Sequence, residues 1–256
     1  MKELCTKLQN RLWIFKSERI VERMSAFAAT ADDIPESEKS GRLGKIFFSN
    51  KEDIVHKWIH YLPVYERLFS PFIGTAVRFL EIGVFKGGSL KMWREFFGQR
   101  AIIVGIDIDP KCKAYDGKYG QVRIGSQADP EFLRRVVTEM AGVDIILDDG
   151  SHIGSHQRAT FNVLFSLLSQ GGLYVIEDLH TAYWPRFGGG LKRSGTAIEF
   201  LKDKVDEIHK HYYRRDHNCP EMMPDIESIQ FFDSIASIVK RKQLPRHHVM
   251  VPTSKD

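Results

Sequence analysis

Residues 80–89 read LEIGVFKGGS, and this stretch decides the fold. It joins a short apolar run to an amphipathic one through a tight turn that contains Gly83 and Gly87. Glycine lets a backbone pass close to a ligand, and the amino end of the following helix offers free N–H groups. The spacing E-x-G-x-x-x-G differs from the G-x-G-x-x-G loop of NAD sites and disfavours an NAD-dependent oxidoreductase. The stretch therefore predicts a strand, a ligand-binding turn and a helix, with a turn that binds nothing as the alternative.

Apolar runs and amphipathic stretches alternate from about residue 76 onward. The predicted strands are 77–80, 102–106, 122–124, 143–147, 173–176 and a C-terminal pair at 229–232 and 235–239. The predicted helices are 89–97, 130–140, 156–168 and 197–212, with an earlier helix at 51–69 that Pro63 would kink or split. This alternation predicts an α/β fold with a doubly wound, mostly parallel seven-stranded sheet and an antiparallel C-terminal hairpin strand. We divide the chain into an N-terminal helical segment, 1–75, and a main domain, 76–256.

Polar residues follow the second and third predicted strands, at the sheet edge where open α/β folds bind ligands. Asp107 directly follows an apolar run and can accept hydrogen bonds from both hydroxyls of a ribose, the alternative being a solvated turn acid. We expect Asp109 to cap the turn at Pro110 instead. Ser126 and Gln127 follow the next run and can either reach the edge of an adenine or cap the following helix.

Two acid pairs, Asp148-Asp149 and Glu177-Asp178, follow the fourth and fifth predicted strands. Because these strands are expected to be neighbours, four carboxylates converge on one edge of the sheet. Like charges at such range raise one another's pKa values. A hard divalent cation relieves the repulsion, and carboxylate oxygens are its natural ligands. The pattern predicts a metal site, the alternative being that two of the acids point away and cap helices.

Together these motifs resemble those of one enzyme family. The runs LEIGVFKGGSLKMW, GIDIDP, IGSQADP, ILDDGSH and VIEDLHT are similar to the metal-dependent sugar O-methyltransferases of the mycinamicin and mycobacterial mannoside type. The resemblance covers roughly residues 50–215 and implies a Rossmann-like class I methyltransferase that uses S-adenosylmethionine (SAM) and a divalent metal, Mg²⁺. Catechol O-methyltransferase is a more distant relative with the same metal geometry. Enzymes of the mycinamicin type also carry a separate N-terminal domain, for which 256 residues are too few.

The resemblance implies roles for individual residues. The metal ligands would be Asp149, Glu177 and Asp178, and His152 would be the general base where catechol-type enzymes have a lysine. The SAM contacts would be Glu81, Gly83, Gly87, Ser89, Asp107, Ser126, Gln127 and Asp148, with the glycine turn around the methionine part and Glu81 on its amino group. Because the sulfonium already activates the methyl group, the protein has to hold donor and acceptor in line. The ion would lower the pKa of the acceptor hydroxyl, and His152 would take its proton.

Five further residues are candidates for acceptor contacts: His60, Tyr61, His180, Tyr183 and Trp184. His60 and Tyr61 precede the first strand, where such folds often have a lid helix over SAM, although that helix can equally pack on the sheet. Tyr183 and Trp184 precede the glycine run 188–190, which suggests either a mobile loop over the acceptor or a connector that Trp184 anchors. We expect the segment 1–75 to act as a lid or an oligomer contact.

The bulk composition is ordinary for a globular protein, with 43% hydrophobic residues and a net charge of +4 that does not by itself argue for nucleic acid. Three widely spaced cysteines disfavour disulfides and zinc and fit a reducing cytosol. The N-terminus lacks an apolar run of signal-peptide length, and no run is long enough to span a membrane. We therefore expect a cytoplasmic O-methyltransferase of small glycosides or oligosaccharides that does not bind nucleic acid, with homo-oligomerisation left open. A catechol- or phenol-type enzyme and a non-catalytic SAM-binding protein are the alternatives.

Overall fold

The computed structural model of the protein describes residues 29–213 and 225–251. Within these ranges seven strands form one sheet: β1 (Arg78–Ile82), β2 (Ile102–Asp107), β3 (Gln121–Ile124), β4 (Val143–Asp148), β5 (Leu168–Ile176), β6 (Ile226–Phe232) and β7 (Ile235–Lys240). Their order across the sheet is β3-β2-β1-β4-β5-β7-β6. Strands β1 to β5 are parallel, whereas β7 runs antiparallel to both of its neighbours. The predicted doubly wound sheet with an antiparallel C-terminal hairpin strand is confirmed.

Helices cover both faces of the sheet: α1 (Arg42–Ser49), α2 (Tyr61–Phe69), α3 (Gly88–Phe97), α4 (Pro130–Glu139), α5 (Gly154–Leu167) and α6 (Ala197–Ile208). Side chains alternate between the two faces along a strand, so both faces of a central parallel strand are buried. Leu80 and Ile82 of β1 pack with α4, α5 and α6, whereas Phe79 packs with α1, α2 and α3. The result is a three-layer α/β/α arrangement with a hydrophobic core on each side of the sheet.

The register of the central strands brings the ligand-binding turns together. Ile82, the last residue of β1, pairs with both Ile106 of β2 and Asp148 of β4. Asp148 in turn pairs with Ile176, the last residue of β5. Neighbouring strands lie about 4.8 Å apart, so the segments that follow them start side by side. The acid pairs and the glycine turn therefore share one edge of the sheet.

The predicted helix at 51–69 is wrong in its first half. Helix α2 begins only at Tyr61, and Pro63 lies in its first turn, where a missing N–H costs no hydrogen bond. The residues before it run as non-helical chain over the glycine turn, where the Gly88 N–H donates to the carbonyl oxygen of Ile54 at 3.3 Å. At the other end, the predicted helix 197–212 ends at Ile208 and continues as a short 3-10 turn over Lys210–Tyr212.

Helices α1 and α2, from the predicted N-terminal segment, pack in the same hydrophobic core as α3 and the sheet. The lid or oligomer role assigned to that segment stays a prediction, and its residues 1–28 lie outside the described ranges. Over residues 29–213 and 225–251, every helix is too short or too polar to cross a lipid bilayer.

A cluster of aromatic rings fills the core between the sheet and α3. Phe97 is fully buried, and its ring centroid lies 5.1 Å from that of Phe79 and 5.9 Å from that of Phe69. We expect Phe97→Ala to lower the free energy of unfolding by about 3–5 kcal/mol, because it removes a large apolar side chain and leaves a cavity. Urea unfolding measures this loss. The control Phe231→Ala, at a side chain 47% exposed on β6, should cost less than about 1 kcal/mol, and equal losses would contradict this account of the core.

Candidate active site

The turn after β1 contains two glycines in the left-handed region of backbone conformation, Gly83 at φ +99° and Gly87 at φ +77°. A Cβ on Gly83 would lie 2.1 Å from the carbonyl oxygen of Asp149, and one on Gly87 would lie 2.4 Å from the ring of Tyr115. Glycine is therefore needed at both positions for the turn to pack against neighbouring loops. The SAM contacts of Gly83 and Gly87 stay predictions.

Asp107 shapes this turn from the end of β2. Its Oδ2 accepts hydrogen bonds from the backbone N–H groups of Val84 and Phe85 at 2.8 and 3.0 Å, and its Oδ1 accepts one from Asp109 at 2.8 Å. A carboxylate offers about four acceptor positions, so roughly one remains for the predicted ribose contact. Asp109 accepts from the Lys111 N–H at 2.9 Å, which confirms its predicted capping role.

Gln127 and Asp148 bind each other beneath the site rather than facing solvent. Gln127 Nε2 donates to Asp148 Oδ1 at 3.2 Å, and its Oε1 accepts from the Ser151 N–H at 2.7 Å. The Tyr174 hydroxyl donates to Asp148 Oδ2 at 3.0 Å. Burial raises the pKa of Asp148 to about 6. Asp148 is therefore held by interior partners on the α4–α6 side, so the predicted convergence of four carboxylates is reduced to three.

Neither Ser126 nor Gln127 caps the helix that follows them, which was the alternative to the adenine contact. Asp129 caps α4 by accepting from the N–H groups of Glu131 and Phe132 at 3.0 and 3.1 Å. Ser126 Oγ accepts only a local bond from the Ala128 N–H, at 3.1 Å. The adenine contact of Ser126 and Gln127 stays a prediction, as does the cofactor contact of Asp148.

A buried ammonium group lies among carboxylates at the carboxyl ends of β1, β4 and β5. Lys57 Nζ donates to Asp149 Oδ2 and, at 2.6 Å, to Glu177 Oε1, and it lies 4.0 Å from Glu81 Oε1. The Lys57 side chain is 1% exposed and that of Glu177 is 2% exposed. Burial alone would lower the pKa of Lys57, but the charges of these carboxylates raise it above its ordinary value. We call these four residues the inner cluster.

Glu81 closes the inner cluster on the side of β1. It is fully buried and accepts hydrogen bonds from Ser89 Oγ at 2.7 Å and from Trp93 Nε1 at 3.0 Å. Burial raises the pKa of Glu81 to about 7, although Lys57 and both donors oppose the rise. Both Glu81 and Ser89 are thus engaged inside the protein, and their contacts with SAM stay predictions.

An outer cluster of Asp149, His152 and Asp178 lies beside the inner one and is more exposed. One ligand atom from each residue lies within 4.8 Å of the others. His152 Nε2 is 3.6 Å from Asp178 Oδ2 and 3.9 Å from Asp149 Oδ1. The carboxylate oxygens of Asp149 and Asp178 are suitable donors for the predicted Mg²⁺, whereas an imidazole nitrogen suits softer ions, so two of the three residues fit this metal. The cluster shares Asp149 and Asp178 with the predicted ligand set, whereas Glu177 is bound to Lys57.

Two residues of the outer cluster have a strained backbone conformation. His152 and Asp178 both have φ of +55°, a conformation that residues other than glycine adopt rarely and at a cost of about 1–3 kcal/mol. The Thr181 hydroxyl lies 3.1 Å from the carbonyl oxygen of His152 and 2.7 Å from that of Asp178. A single buried side chain therefore bridges the two strained residues.

Two of the candidate acceptor residues contact the outer cluster, and they do so as its supports. The Tyr61 hydroxyl donates to Asp178 Oδ1 at 2.7 Å. His180 Nδ1 lies 4.0 Å from Asp178 Oδ1, and the His180 backbone N–H donates to Ser234 Oγ at 3.1 Å, in the turn between β6 and β7. The β6–β7 hairpin therefore reaches the site, which the sequence analysis did not anticipate.

The other three acceptor candidates lie at the rim. His60 Nε2 lies 4.0 Å from Asp233 Oδ2, in the turn between β6 and β7. Tyr183 and Trp184 are 46% and 37% exposed. The Trp184 ring packs at 4.6 Å from that of His180 and at 6.1 Å from that of Phe187.

A cavity of about 190 Å³ opens next to the outer cluster. Its apolar lining includes Ile153, Ala182 and Phe187, and its polar lining includes Arg193 and Thr196. The Phe187 ring centroid lies 6.3 Å from that of His152. The cavity therefore adjoins the imidazole through the loop that follows β5.

Lys57, Thr181 and Ser234 are the site residues that the sequence analysis missed. Lys57 was assigned to an amphipathic helix, and a single lysine in such a stretch is normally solvated. Thr181 and Ser234 do not lie at positions where a sequence motif predicts a catalytic or ligand-binding residue. Lys57 directly precedes Trp58 and lies three residues before His60, but no spacing rule connects a lysine at that position to the acids.

The sequence matches no protein-family model. It is 39% identical over 197 residues, 72% of this chain, to the 8-demethyl-8-alpha-L-rhamnosyl tetracenomycin-C 2'-O-methyltransferase of Streptomyces olivaceus. It is 37% identical over 215 residues, 77% of this chain, to the mycinamicin VI 2''-O-methyltransferase of Micromonospora griseorubida. The chain spans about half the length of these curated relatives, 52% and 53%.

The solved structure of the methyltransferase MycE from the mycinamycin biosynthetic pathway, in complex with Mg, SAH and mycinamycin VI, has the same fold. The TM-score is 0.69 at 33% sequence identity, over 88% of this chain and 58% of that chain.

The described part of the chain has the Rossmann-like fold of class I methyltransferases. Within that class, the matched part of the chain is related to sugar O-methyltransferases of macrolide and tetracenomycin pathways, so the predicted resemblance is confirmed.

The hydrogen bond from Tyr174 to the buried Asp148 carboxyl group can be tested by its contribution to stability. We expect Tyr174→Phe to lower the free energy of unfolding by about 1–3 kcal/mol, because the buried carboxyl group loses a hydrogen-bond donor. Urea unfolding in EDTA measures the loss without any metal contribution. Tyr183→Phe, at a side chain 46% exposed, is the control and should stay within about 0.5 kcal/mol of the wild type. If both variants unfold alike, Tyr174 does not support Asp148 as described.

Proposed function

We propose that this protein is a SAM-dependent O-methyltransferase that transfers a methyl group to a hydroxyl of a sugar in a glycoside, with a divalent metal ion, Mg²⁺. The observation that carries the proposal is the outer cluster of Asp149, His152 and Asp178, within 4.8 Å of one another at the ligand-binding edge of the sheet. The relatives' activities and the MycE complex with Mg and SAH support the same reading.

The SAM site would lie along the turns that follow β1, β2 and β3. Asp107 pairs with Ile124 at the ends of β2 and β3, so the Asp107 carboxylate and the Ser126–Gln127 turn are adjacent. The glycine turn and the amino end of α3 lie on the other side of Asp107. This order supports binding of the methionine part at the glycine turn, the ribose at Asp107 and the adenine at Ser126 and Gln127.

Asp149 and Asp178 would hold the metal ion, and Glu177, the third predicted ligand, would act through its charge because its Oε1 is bound to Lys57. Asp149 and Asp178 already face a common space with His152, and Glu177 is bound beside Asp149 through Lys57. When bound, the ion supplies a Lewis acid that lowers the pKa of the acceptor hydroxyl. The Tyr61 hydroxyl and Thr181 hold Asp178 in orientation, so the donor set is largely organised before an ion arrives.

His152 would act as the general base. Its Nε2 faces the carboxylates of Asp149 and Asp178, and its Nδ1 is buried with no hydrogen-bond partner among the described residues. A neutral imidazole near neutral pH is a suitable base for a hydroxyl proton. The bond from Thr181 to the His152 carbonyl oxygen would keep the ring over the cluster while the proton moves.

The acceptor would enter through the cavity beside His152. Aromatic side chains stack well on the apolar faces of sugars; Phe187 lines this cavity, and the Trp184 ring packs against it. Arg193 would contact the hydroxyl groups of the glycoside. A cytoplasmic location, independence from nucleic acid and self-association stay predictions of the same proposal.

The reaction is tested by methyl transfer from labelled SAM to a panel of glycosides and catechols, with Mg²⁺ and with EDTA. We expect transfer to a glycoside and loss of that transfer in EDTA, because the acceptor hydroxyl is too weak an acid to react unaided. Transfer that persists in EDTA would remove the metal from the mechanism. Transfer to catechols alone would replace the sugar by a phenol, and SAM binding without any transfer would favour a non-catalytic SAM-binding protein.

The base is tested by His152→Ala. Turnover should fall by about 10²–10⁴-fold while SAM affinity stays unchanged, because only proton removal is affected. Single-turnover kinetics and calorimetric titration with SAM measure the two quantities separately. His211→Ala, at an exposed residue in the turn after α6, is the matched control. Turnover preserved in His152→Ala would exclude this residue as the base.

A further inference from the structure

Lys57 is the one member of the inner cluster whose function the proposed reaction does not use. Its ammonium is almost inaccessible, and it contacts Asp149 and Glu177 directly, with Glu81 at 4.0 Å. It also lies 6.0 Å from the ring centroid of Tyr65, within range of a cation–π contact. Three carboxylates from three different strand ends therefore share one cation that belongs to the protein.

The chain before α2 is shaped to deliver this cation. Residues 50–58 leave α1 without forming a helix, and Asn50 Nδ2 donates to the Asp53 carbonyl oxygen at 2.8 Å. The Ile54 carbonyl oxygen accepts from the Gly88 N–H at the start of α3. A Cβ on Gly88 would lie 2.4 Å from the Asp53 carbonyl oxygen, so the segment passes in close contact with the glycine turn. Lys57 is thus carried over the end of β1 and into the acids.

Asp149 divides its two oxygens between the two clusters. Oδ2 accepts from Lys57, whereas Oδ1 is the oxygen that lies 3.9 Å from His152 Nε2. The exposed fraction of the side chains rises from the inner cluster to the outer one, from 1% for Lys57 to 21% for Asp149 and 17% for Asp178. The site therefore has an inner cation position that Lys57 occupies and an outer position that is accessible from solvent.

We propose that Lys57 is a positioning residue and the permanent counter-cation of this site: its single charge offsets part of the negative charge that Asp149, Glu177 and Glu81 bring together, so that the protein folds without a divalent ion and reserves the outer position for an exchangeable one. The identity of the outer ion rests on the proposed function. The inner role does not, because it concerns contacts that the protein makes with itself.

The physical reason is the cost of burying charge. An unpaired buried carboxylate loses its hydration and gains nothing in return, whereas a paired one is compensated by Coulomb attraction and hydrogen bonds. Removing one partner of a buried pair is therefore strongly destabilising. Removing the Lys57 charge also deepens the negative potential at the outer position, so a divalent cation there should bind more tightly.

The first test compares the wild type with Lys57→Met, which keeps an unbranched side chain one atom shorter and removes its charge. In EDTA we expect Tm to fall by roughly 10 °C. On addition of Mg²⁺ alone, the rise in Tm should be larger for Lys57→Met than for the wild type, because an ion that binds the native state more tightly stabilises it more. A loss of packing alone would lower Tm without changing the response to Mg²⁺.

Two further variants separate the role of the Lys57 charge from a general loss of stability. Lys118→Met removes an exposed ion pair with Asp53 and should change Tm by less than about 3 °C. The double variant Lys57→Met/Glu177→Gln should be more stable in EDTA than Lys57→Met, because it no longer leaves the Glu177 charge unpaired. If Lys57→Met does not fold in EDTA, recovery of a folded protein in the double variant supports the proposal, and failure of both variants counts against it.

Two results would overturn the proposal: a Tm in EDTA that Lys57→Met leaves unchanged, or a Mg²⁺ response no larger than that of the wild type. A wild type that gains no stability from Mg²⁺ would instead contradict the metal in the proposed function. In that case the comparison of Lys57→Met with the double variant in EDTA still decides the role of Lys57.

Discussion

The burial of several carboxylates around one ammonium group is the constraint on which the rest of this site depends. Parallel pairing of β1, β4 and β5 brings Glu81, Asp149 and Glu177 to the same place, and mutual repulsion would oppose that arrangement. Lys57 offsets it from within. The non-helical chain ahead of α2 carries the Lys57 ammonium into these acids.

Support for the site comes from two sides of the sheet. From the α1–α3 side, Tyr61 binds Asp178 and the chain before it carries Lys57. From the far edge, the β6–β7 hairpin binds the segment after β5 through Ser234. The antiparallel β6–β7 hairpin thus stabilises the loop after β5, which contains Glu177 and Asp178. The strain at His152 and Asp178 is sustained by these contacts and by Thr181.

Sequence reasoning succeeded where a rule connects residue type, spacing and strand ends. The strands, the glycine turn and the meeting of Asp149, Glu177 and Asp178 follow from apolar runs and from the geometry of parallel sheets. Sequence reasoning failed where the direction of each side chain after the end of a strand decides its partners. Asp148 and Asp149 are neighbours in sequence, yet one turns toward Tyr174 in the core and the other toward Lys57. Adjacent side chains at a strand end point to opposite faces, but their partners are set by distant residues.

What the sequence determined by itself is the α/β class, the edge of the sheet that binds ligands and the acids that collect there, because these depend on local periodicity and on the chain order of the strands. What only the tertiary structure decided is the division of those acids into an inner and an outer cluster. That division depends on Lys57, which is separated from Asp149 by 92 positions and from Glu177 by 120. No local pattern records such a contact, since its energy arises only when folding has removed water from between the charges.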